Sequence, residues 1–500
     1  MTTVDILEQQ AREQGARTAI ASLGRRISYS ELNKGSNKIA NTLINLGVEK
    51  GDRVALLLPL VPELIINHYG IIKTGGITVP IDVRFPLEDI DFVIKDCEPK
   101  VLIGESPFLQ TLVSSLSSFA SVKNIIDWSP TAGIPFRSAR EILASGSSQS
   151  PGVNLKQEDI AAIGYTSGTT GRPKGAMVSH QAFATGGEHY VRMMHQTRED
   201  VFVFFALPPS WPTWIFGGSL ITGGAAAFVA SSSLNEFLET VDKAKGTIIL
   251  AMSFICAEMV NMPEEEIKKY DLSSLRLCLS GGAPIPKDIL HRFKDRFGLD
   301  IIPGHGMMEI VGWTTAQPLD GSGKPGSAGK VGWGKELKIV DEAGKALPPN
   351  HTGEIIISAP SMMMTGYYNR PQATAEVIRE GWLYTGDIGY LDEDGYLFIS
   401  GRKKEMLTVA GRTITPVDIE EVLYSHPKVA EAAIVGIPET TGEAIRAVIV
   451  LKKGEEATSA EMEQFCREHL ADYQMPKEFV FRESLPRNPM GKVRREELKK

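Results

Sequence analysis

Apolar residues first repeat at helical spacing, where Leu32, Ile39, Leu43 and Leu46 predict an amphipathic helix over residues 30–48. Gly51-Asp52 then turns the chain into Arg53-Val54-Ala55-Leu56-Leu57-Leu58, an apolar run of strand length. A helix is predicted over 63–73, and Ile77-Thr78-Val79-Pro80 and Val101-Leu102-Ile103 read as further strands. Strands apolar on both faces, alternating with helices, predict a parallel sheet. The pattern recurs downstream: residues 159–164 and 275–279 read as buried strands, and 286–297 as a helix. Residues 336–340 and 353–358 read as strands of a smaller β unit. Residues 405–500 form an α+β module, with helices at 415–425 and 459–470 and strands at 433–437, 445–452 and 478–482. Serine-rich stretches at 114–121 and 144–150 read as surface linkers, and no fixed-period repeat is found.

Composition narrows the class. At 500 residues the chain is long for one core, so two or more domains are expected. Its net charge is −8 with no long basic run, which argues against nucleic acid as the main partner. Cys97, Cys256, Cys278 and Cys466 stand far apart, with no pair at zinc-site spacing and no disulfide framework; a reducing cytosol is the expected compartment. The N-terminal residues carry no signal-peptide pattern, and no apolar run approaches the roughly 20 residues of a membrane span.

The densest chemistry lies in Tyr165-Thr166-Ser167-Gly168-Thr169-Thr170-Gly171-Arg172-Pro173-Lys174-Gly175, directly after a predicted strand. Glycines let several backbone N–H groups converge, hydroxyls add donors, and cations neutralise charge, as a polyphosphate requires. A flexible surface loop is the plain alternative for a Gly/Ser/Thr run. A second glycine-rich run, Gly321-Ser322-Gly323-Lys324-Pro325-Gly326, spells G-x-G-x-x-G but follows no strand and opens no helix, so it reads as a turn.

The order of the first run resembles the phosphate loop of the adenylate-forming superfamily, which includes acyl-CoA synthetases, peptide-synthetase adenylation domains and luciferases. The resemblance continues along nearly the whole chain. Gly281-Gly282-Ala283-Pro284 is similar to the segment beside adenine and the acyl group, and Gly304-His305-Gly306-Met307-Met308-Glu309 to a Gly-Tyr-Gly-x-Thr-Glu motif. The resemblance implies that His305 takes the place of an aromatic stacked on adenine, that Met308 replaces a threonine at the α-phosphate, and that Glu309 holds Mg²⁺. It assigns Asp387 to the ribose hydroxyls with help from Arg402 and with Ile399 nearby, and makes Lys404 a hinge. It places Ala410, Gly411 and Arg412 toward coenzyme A, and Lys492 as the catalytic lysine. Trp211 falls where the family's acyl-pocket histidine stands, and Trp211, Trp214, Phe216, Met252, Gly281, Gly306, Met307 and Trp313 are the expected acyl pocket.

The implied fold is a large α/β domain, residues 1–403, of stacked, mostly parallel sheets with a small β-barrel-like unit. A small mobile α+β domain, 404–500, carries Lys492. The implied activity is ATP-dependent acyl-CoA synthesis through acyl-AMP, using ATP, Mg²⁺, coenzyme A and an apolar carboxylic acid, aliphatic or aromatic, in a cytoplasmic protein for which a homodimer is one expected assembly. The chain ends eight residues after Lys492, which favours free coenzyme A over a fused carrier domain. Rival readings are a stand-alone enzyme loading a carrier protein and, given Trp211, His305 and Met308, a degenerate nucleotide-binding homologue. A P-loop NTPase or kinase and a hydrolase are further rivals, but no Gly-Lys pair is followed by Ser or Thr, so the Walker pattern is absent, and no G-x-S-x-G elbow is found.

Overall fold

The computed structural model describes residues 1–129, 136–166, 172–282, 285, 287–409, 412–439, 442–487 and 492–499. Packing divides the chain into two compact units. The first comprises Met1–Ser322, Gly332–Glu336 and Ser358–Gly381; the second comprises Gly323–Val331, Leu337–Ile357 and Trp382–Lys500.

Two sheets organise the first unit. One is eight-stranded, in the order Gly366–Tyr367, Lys174–Ser179, Ile160–Thr166, Ile77–Pro80, Arg53–Leu57, Val101–Gly104, Asn124–Asp127, Arg137–Ser138. Its centre is parallel and fully buried, as the unbroken apolar runs require. The other sheet runs Ile310–Ala316, Ile301–Met307, Leu277–Ser280, Ile248–Leu250, Val201–Phe204, Ala225–Phe228, Thr18–Ser22, Arg25–Ser28. Its order reverses at Val201–Phe204, whose successor in the chain lies on one side and Ile248–Leu250 on the other. Ligands of open α/β sheets bind beyond the carboxyl ends of strands at such a switch point. Here those ends release Ala206–Trp211, Ala251–Met252 and Gly281–Gly282.

The helix predicted over 30–48 runs Tyr29–Asn45, and the reason it stops is local: Gly47 takes a left-handed φ of 82°. Its Asn37 and Asn41 amides donate to the carbonyls of Ser147, Ser148 and Gln149, so part of the serine-rich 144–150 stretch is tied to this helix. The other serine-rich stretch is likewise not free linker, because Phe119 is buried in the core and Leu116 packs against it. The helix Ser210–Thr222 is a new element, not read from the sequence.

In the second unit, strands Gly353–Ser358, Trp382–Leu391 and Leu397–Arg402 pair antiparallel. Beyond them, Val429–Glu439, Gly442–Leu451 and Glu478–Phe481 form a second sheet, covered by helices Pro416–Ser425 and Ser459–His469 around Ile419, Leu423, Ile434, Met462 and Cys466. All four cysteines are buried thiols. Among the described residues no helix is long and apolar enough to cross a membrane.

Candidate active site

Strands Ile160–Thr166 and Lys174–Ser179 are antiparallel neighbours, and Thr166 pairs with Lys174. The two ends of the glycine-rich loop are thereby fixed side by side, while Ser167, Gly168, Thr169, Thr170 and Gly171 lie outside the described residues. Thr166 Oγ1 donates to the Lys174 carbonyl at 3.4 Å. The Lys174 ammonium stands 5.2 Å from the ring centroid of Tyr367, within cation–π range. Tyr367 comes from the edge strand Gly366–Tyr367, paired with Met177 and Ala176. Its hydroxyl donates to Glu309 Oε1 at 2.6 Å. Burial, with the Glu309 carboxylate second, raises the phenol well above its ordinary range, so it remains a donor. Tyr367 thus ties the expected phosphate-binding loop to the expected metal ligand.

Glu309 occupies a hairpin tip. Strands Ile301–Met307 and Ile310–Ala316 are antiparallel, Met307 pairs with Ile310, and Met308-Glu309 is the two-residue turn. The fit to magnesium follows from this carboxylate: it is partly exposed, and one Tyr367 bond leaves most of its acceptor capacity open. Among the described residues no group of three or more candidate ligands surrounds it. That suits Mg²⁺, which takes one or two carboxylates with substrate phosphates rather than an all-protein cage.

Behind the tip the site is apolar. The Trp313 indole lies across the hairpin on positions without side chains: a Cβ at Gly304 would overlap its ring, one at Gly306 would stand 3.0 Å from it, and one at Gly281 3.2 Å. These glycines exist because the indole needs their space. Met308 and Trp214 share the space above Gly164, where a Cβ would stand 2.7 Å from the Met308 sulfur and 3.1 Å from the Trp214 ring. Met308 is therefore buried packing, on the strand that leads to the phosphate loop. Met252 covers Gly282, whose Cβ would meet its methyl at 2.8 Å. Trp211 is half-buried at the start of helix Ser210–Thr222, and Trp214 follows one turn on. Phe216 is fully buried, with its ring 6.2 Å from that of Tyr69. His305 is buried, Gly306 exposed and Met307 partly exposed. Ala283 and Pro284 lie outside the described residues.

The turn before Trp211 is held from the other sheet. Ala206 has a φ of 53°, unusual for a residue with a Cβ. Arg84 makes a two-pronged pair with the buried Asp82, at 2.9 and 2.7 Å, and its Nη1 donates to the Ala206 carbonyl at 3.0 Å.

In the second unit, Asp387 and Arg402 are cross-strand partners, with Nε 3.0 Å from Oδ1 and the carboxylate 4% exposed. Ile399, on the same ladder, is exposed and pairs with Gly389. Lys404 is exposed in the single turn Lys403–Glu405, beside an ion pair of Lys403 with Glu354 at 3.1 Å. Arg412 lies 4.7 Å from the ring centroid of Tyr473; Ala410 and Gly411 lie outside the described residues. Lys492 follows residues 488–491, also outside the described set, at a loop whose neck is closed by the Arg487–Val493 bridge and by Arg494 N–H donating to the Pro486 carbonyl at 2.8 Å. Arg495 anchors the neck through Glu420, the Ile434 carbonyl and Glu405.

Tyr367, Arg84 and Gly164 escaped the sequence reading. Each acts through a contact distant in sequence; only the aromatic pair Tyr367-Tyr368 beside Gly366 offered a local signal.

A mostly parallel pair of sheets, with a loop–carboxylate site at the strand ends and a separate α+β unit, is the fold of an adenylate-forming enzyme, and comparison with known proteins agrees. The model for AMP-binding enzymes matches residues 7–368, and that for the AMP-binding enzyme C-terminal domain matches 418–492. The chain is 32% identical to the long-chain-fatty-acid–CoA ligase of Bacillus subtilis (strain 168), covering 99% of this chain and 94% of that protein. It is 30% identical to feruloyl-CoA synthase of Amycolatopsis sp, covering 98% and 97%. The crystal structure of the anthranilate CoA ligase AuaEII in complex with anthranoyl-AMP matches with a TM-score of 0.90 at 27% identity, covering 100% and 96%. The chain belongs to the AMP-binding enzyme family.

Proposed function

We propose that the protein is an ATP-dependent acyl-CoA synthetase that activates an apolar carboxylic acid, aliphatic or aromatic. The observation that carries this reading is the meeting, within one unit, of both ends of the phosphate loop with Glu309 through Tyr367, beside a floor of tryptophan and methionine. A carboxylate oxygen attacks the α-phosphorus of ATP; the new P–O bond forms as the bond to pyrophosphate breaks. The sulfur of coenzyme A then attacks the acyl carbon, and AMP leaves with the electrons of the C–O bond. Catalysis of the first step is chiefly positioning and charge neutralisation.

Within this reading, Thr166 to Lys174 cradles the outer phosphates, and Asp387 accepts from the ribose diol with Arg402 orienting it. Glu309 would hold Mg²⁺, which when bound would supply charge neutralisation at the phosphates. Lys492 bridges carboxylate and α-phosphate. Residues 404–500 turn about Lys404 between the two half-reactions, bringing Arg412 toward coenzyme A. The relatives named for a long-chain fatty acid, ferulate and anthranilate differ in acid, so the family leaves that choice to the pocket. A cytoplasmic location and a homodimer complete the proposal.

The test is pyrophosphate release across a panel of carboxylic acids, followed by thioester detection with coenzyme A or a phosphopantetheine carrier protein. Acid-dependent pyrophosphate and a coenzyme A thioester support the reading. Transfer only to the carrier would make the protein a carrier-loading enzyme, and no pyrophosphate with any acid would leave a nucleotide-binding homologue.

A further inference from the structure

The strand that carries Trp313 is not a regular ladder. Its register against Ile301–Met307 slips twice, between His305 and Gly306 and between Gly306 and Met307, leaving Thr314 and the pair Val311-Gly312 unopposed. Gly312 sits at φ 91°, which a Cβ-bearing residue rarely adopts. Such bulges re-aim side chains beside active sites; here the aimed side chain is the indole laid over Gly281, Gly304 and Gly306. A bulge also removes carbonyls from ladder bonding, and buried carbonyls need other donors.

Lys335 supplies them. Its side chain comes from the short segment Gly332–Glu336, whose backbone follows the bulged strand, with Gly332 N–H donating to the Thr314 carbonyl at 2.8 Å. Lys335 is 7% exposed, and its ammonium donates to the Trp313 carbonyl at 2.6 Å and reaches the Val311 carbonyl at 3.5 Å, the two carbonyls that flank Gly312. Among the described residues it faces no carboxylate. Its titratable neighbour is His189, from helix His180–Met194, whose ring contacts the Trp333 carbonyl at 3.1 Å and is kept neutral by burial and by Lys335 itself. A lysine buried without a counter-ion is costly, and burial pushes this one down to about 7. Nothing in general packing calls for a cation here, since an apolar side chain of the same length would fill the space.

We propose that Lys335 is a positioning residue for acid selection: it holds the bulge at Gly312 and so fixes the Trp313 indole that floors the acyl pocket. The proposal rests on the acyl-CoA synthetase reading and adds to it a residue outside the pocket that sets which acids fit.

The experiment measures pyrophosphate release by the full-length protein over the acid panel, with Lys335→Met, Lys335→Gln and Lys335→Arg, and each substitution combined with Trp313→Phe. Lys335→Met is expected to raise KM for the preferred acid about 10-fold, the scale on which pocket misfits discriminate. It should reorder the panel, leave KM for ATP within about twofold and move Tm little. Lys335→Arg, which keeps the donors, should recover part of the ranking. In the Trp313→Phe background the Lys335 substitutions should have little further effect on selectivity, because they act through the indole. An unchanged acid ranking in every Lys335 variant that folds overturns the proposal. So does a proportional rise of both KM values, or full additivity with Trp313→Phe. If Lys335→Met does not fold, the Gln and Arg variants carry the same comparison. Wild-type protein releasing no pyrophosphate would instead overturn the synthetase reading.

Discussion

Glu309 has its carboxylate oriented by one phenol. A hydroxyl bonded to a carboxylate contributes about 1.5–3 kcal/mol, and partners of metal-binding carboxylates commonly alter metal affinity or activity by about 10–100-fold. Tyr367→Phe removes the 2.6 Å bond and keeps the ring that faces Lys174. The expected outcome is a Mg²⁺ concentration for half-maximal pyrophosphate release raised about 10-fold, read by titrating Mg²⁺ at saturating ATP and acid. An unaltered Mg²⁺ titration would detach Tyr367 from the metal. At this scale the sequence singled out Glu309, Asp387 and Lys492 because they lie in ordered motifs. It did not show what holds them. Tyr367 is 58 positions from Glu309, and such a pairing exists only after both strands have joined their sheets. Met308 illustrates the converse: read as a substitution at a phosphate contact, it is also the packing partner of Gly164 and Trp214.

Elements were legible where period and length agreed. The buried strands at 53–57, 77–80 and 101–104 and the helices of the C-terminal module fall within a few residues of their predicted bounds. Helix Ser210–Thr222 was hidden by Pro208, Pro209 and Pro212, which punctuate the sequence like a loop. Prolines before a helix or in its first turn forfeit no intrahelical bond, so they are compatible with a start there. The turn feeding this helix is the strained Ala206, held by the Arg84–Asp82 pair across the two sheets. Arg84→Met should free the turn and loosen the placement of Trp211 and Trp214. The expected result is a rise in acid KM of about 10-fold with a smaller change in kcat, since a carbonyl–guanidinium bond is worth about 1.5–3 kcal/mol. Equal kinetics in Arg84→Met would mean that the turn holds its conformation unaided.

At the scale of the whole molecule, three buried histidines set a pH dependence. Burial lowers His68 and His189 to about 3 and His180 to about 4, below the ordinary 6.5. Because the folded values are depressed, the unfolded chain binds more protons between about pH 6.5 and 4. The stability is fully present above pH 6.5 and is lost as pH falls toward the folded values. Denaturant midpoints should therefore drop from pH 7.5 to pH 5, and His68→Phe should flatten that slope by up to one proton, about 1.4 kcal/mol per pH unit. A slope unaffected by His68→Phe would show that His68 does not contribute. The sequence reading set one boundary at 403/404; packing instead groups 323–331 and 337–357 with Trp382–Lys500, an interleaving the sequence did not show, because a strand such as Gly353–Ser358 meets its partner Trp382–Leu391 only in the folded sheet.

The proposed ligase works in two steps, and the role proposed for Lys492 belongs to adenylation alone, so separating the half-reactions tests it. Lys492 lies at a loop neck fixed by the Arg487–Val493 bridge and Arg495, so Lys492→Ala removes the ammonium while the anchors remain. Acid-dependent pyrophosphate formation should fall about 10²-fold or more, the scale for a preorganised electrostatic group. The same variant, supplied with the synthetic acyl-adenylate and coenzyme A, should form thioester at a near wild-type rate. Equal losses in both half-reactions would contradict the account and make Lys492 a structural residue.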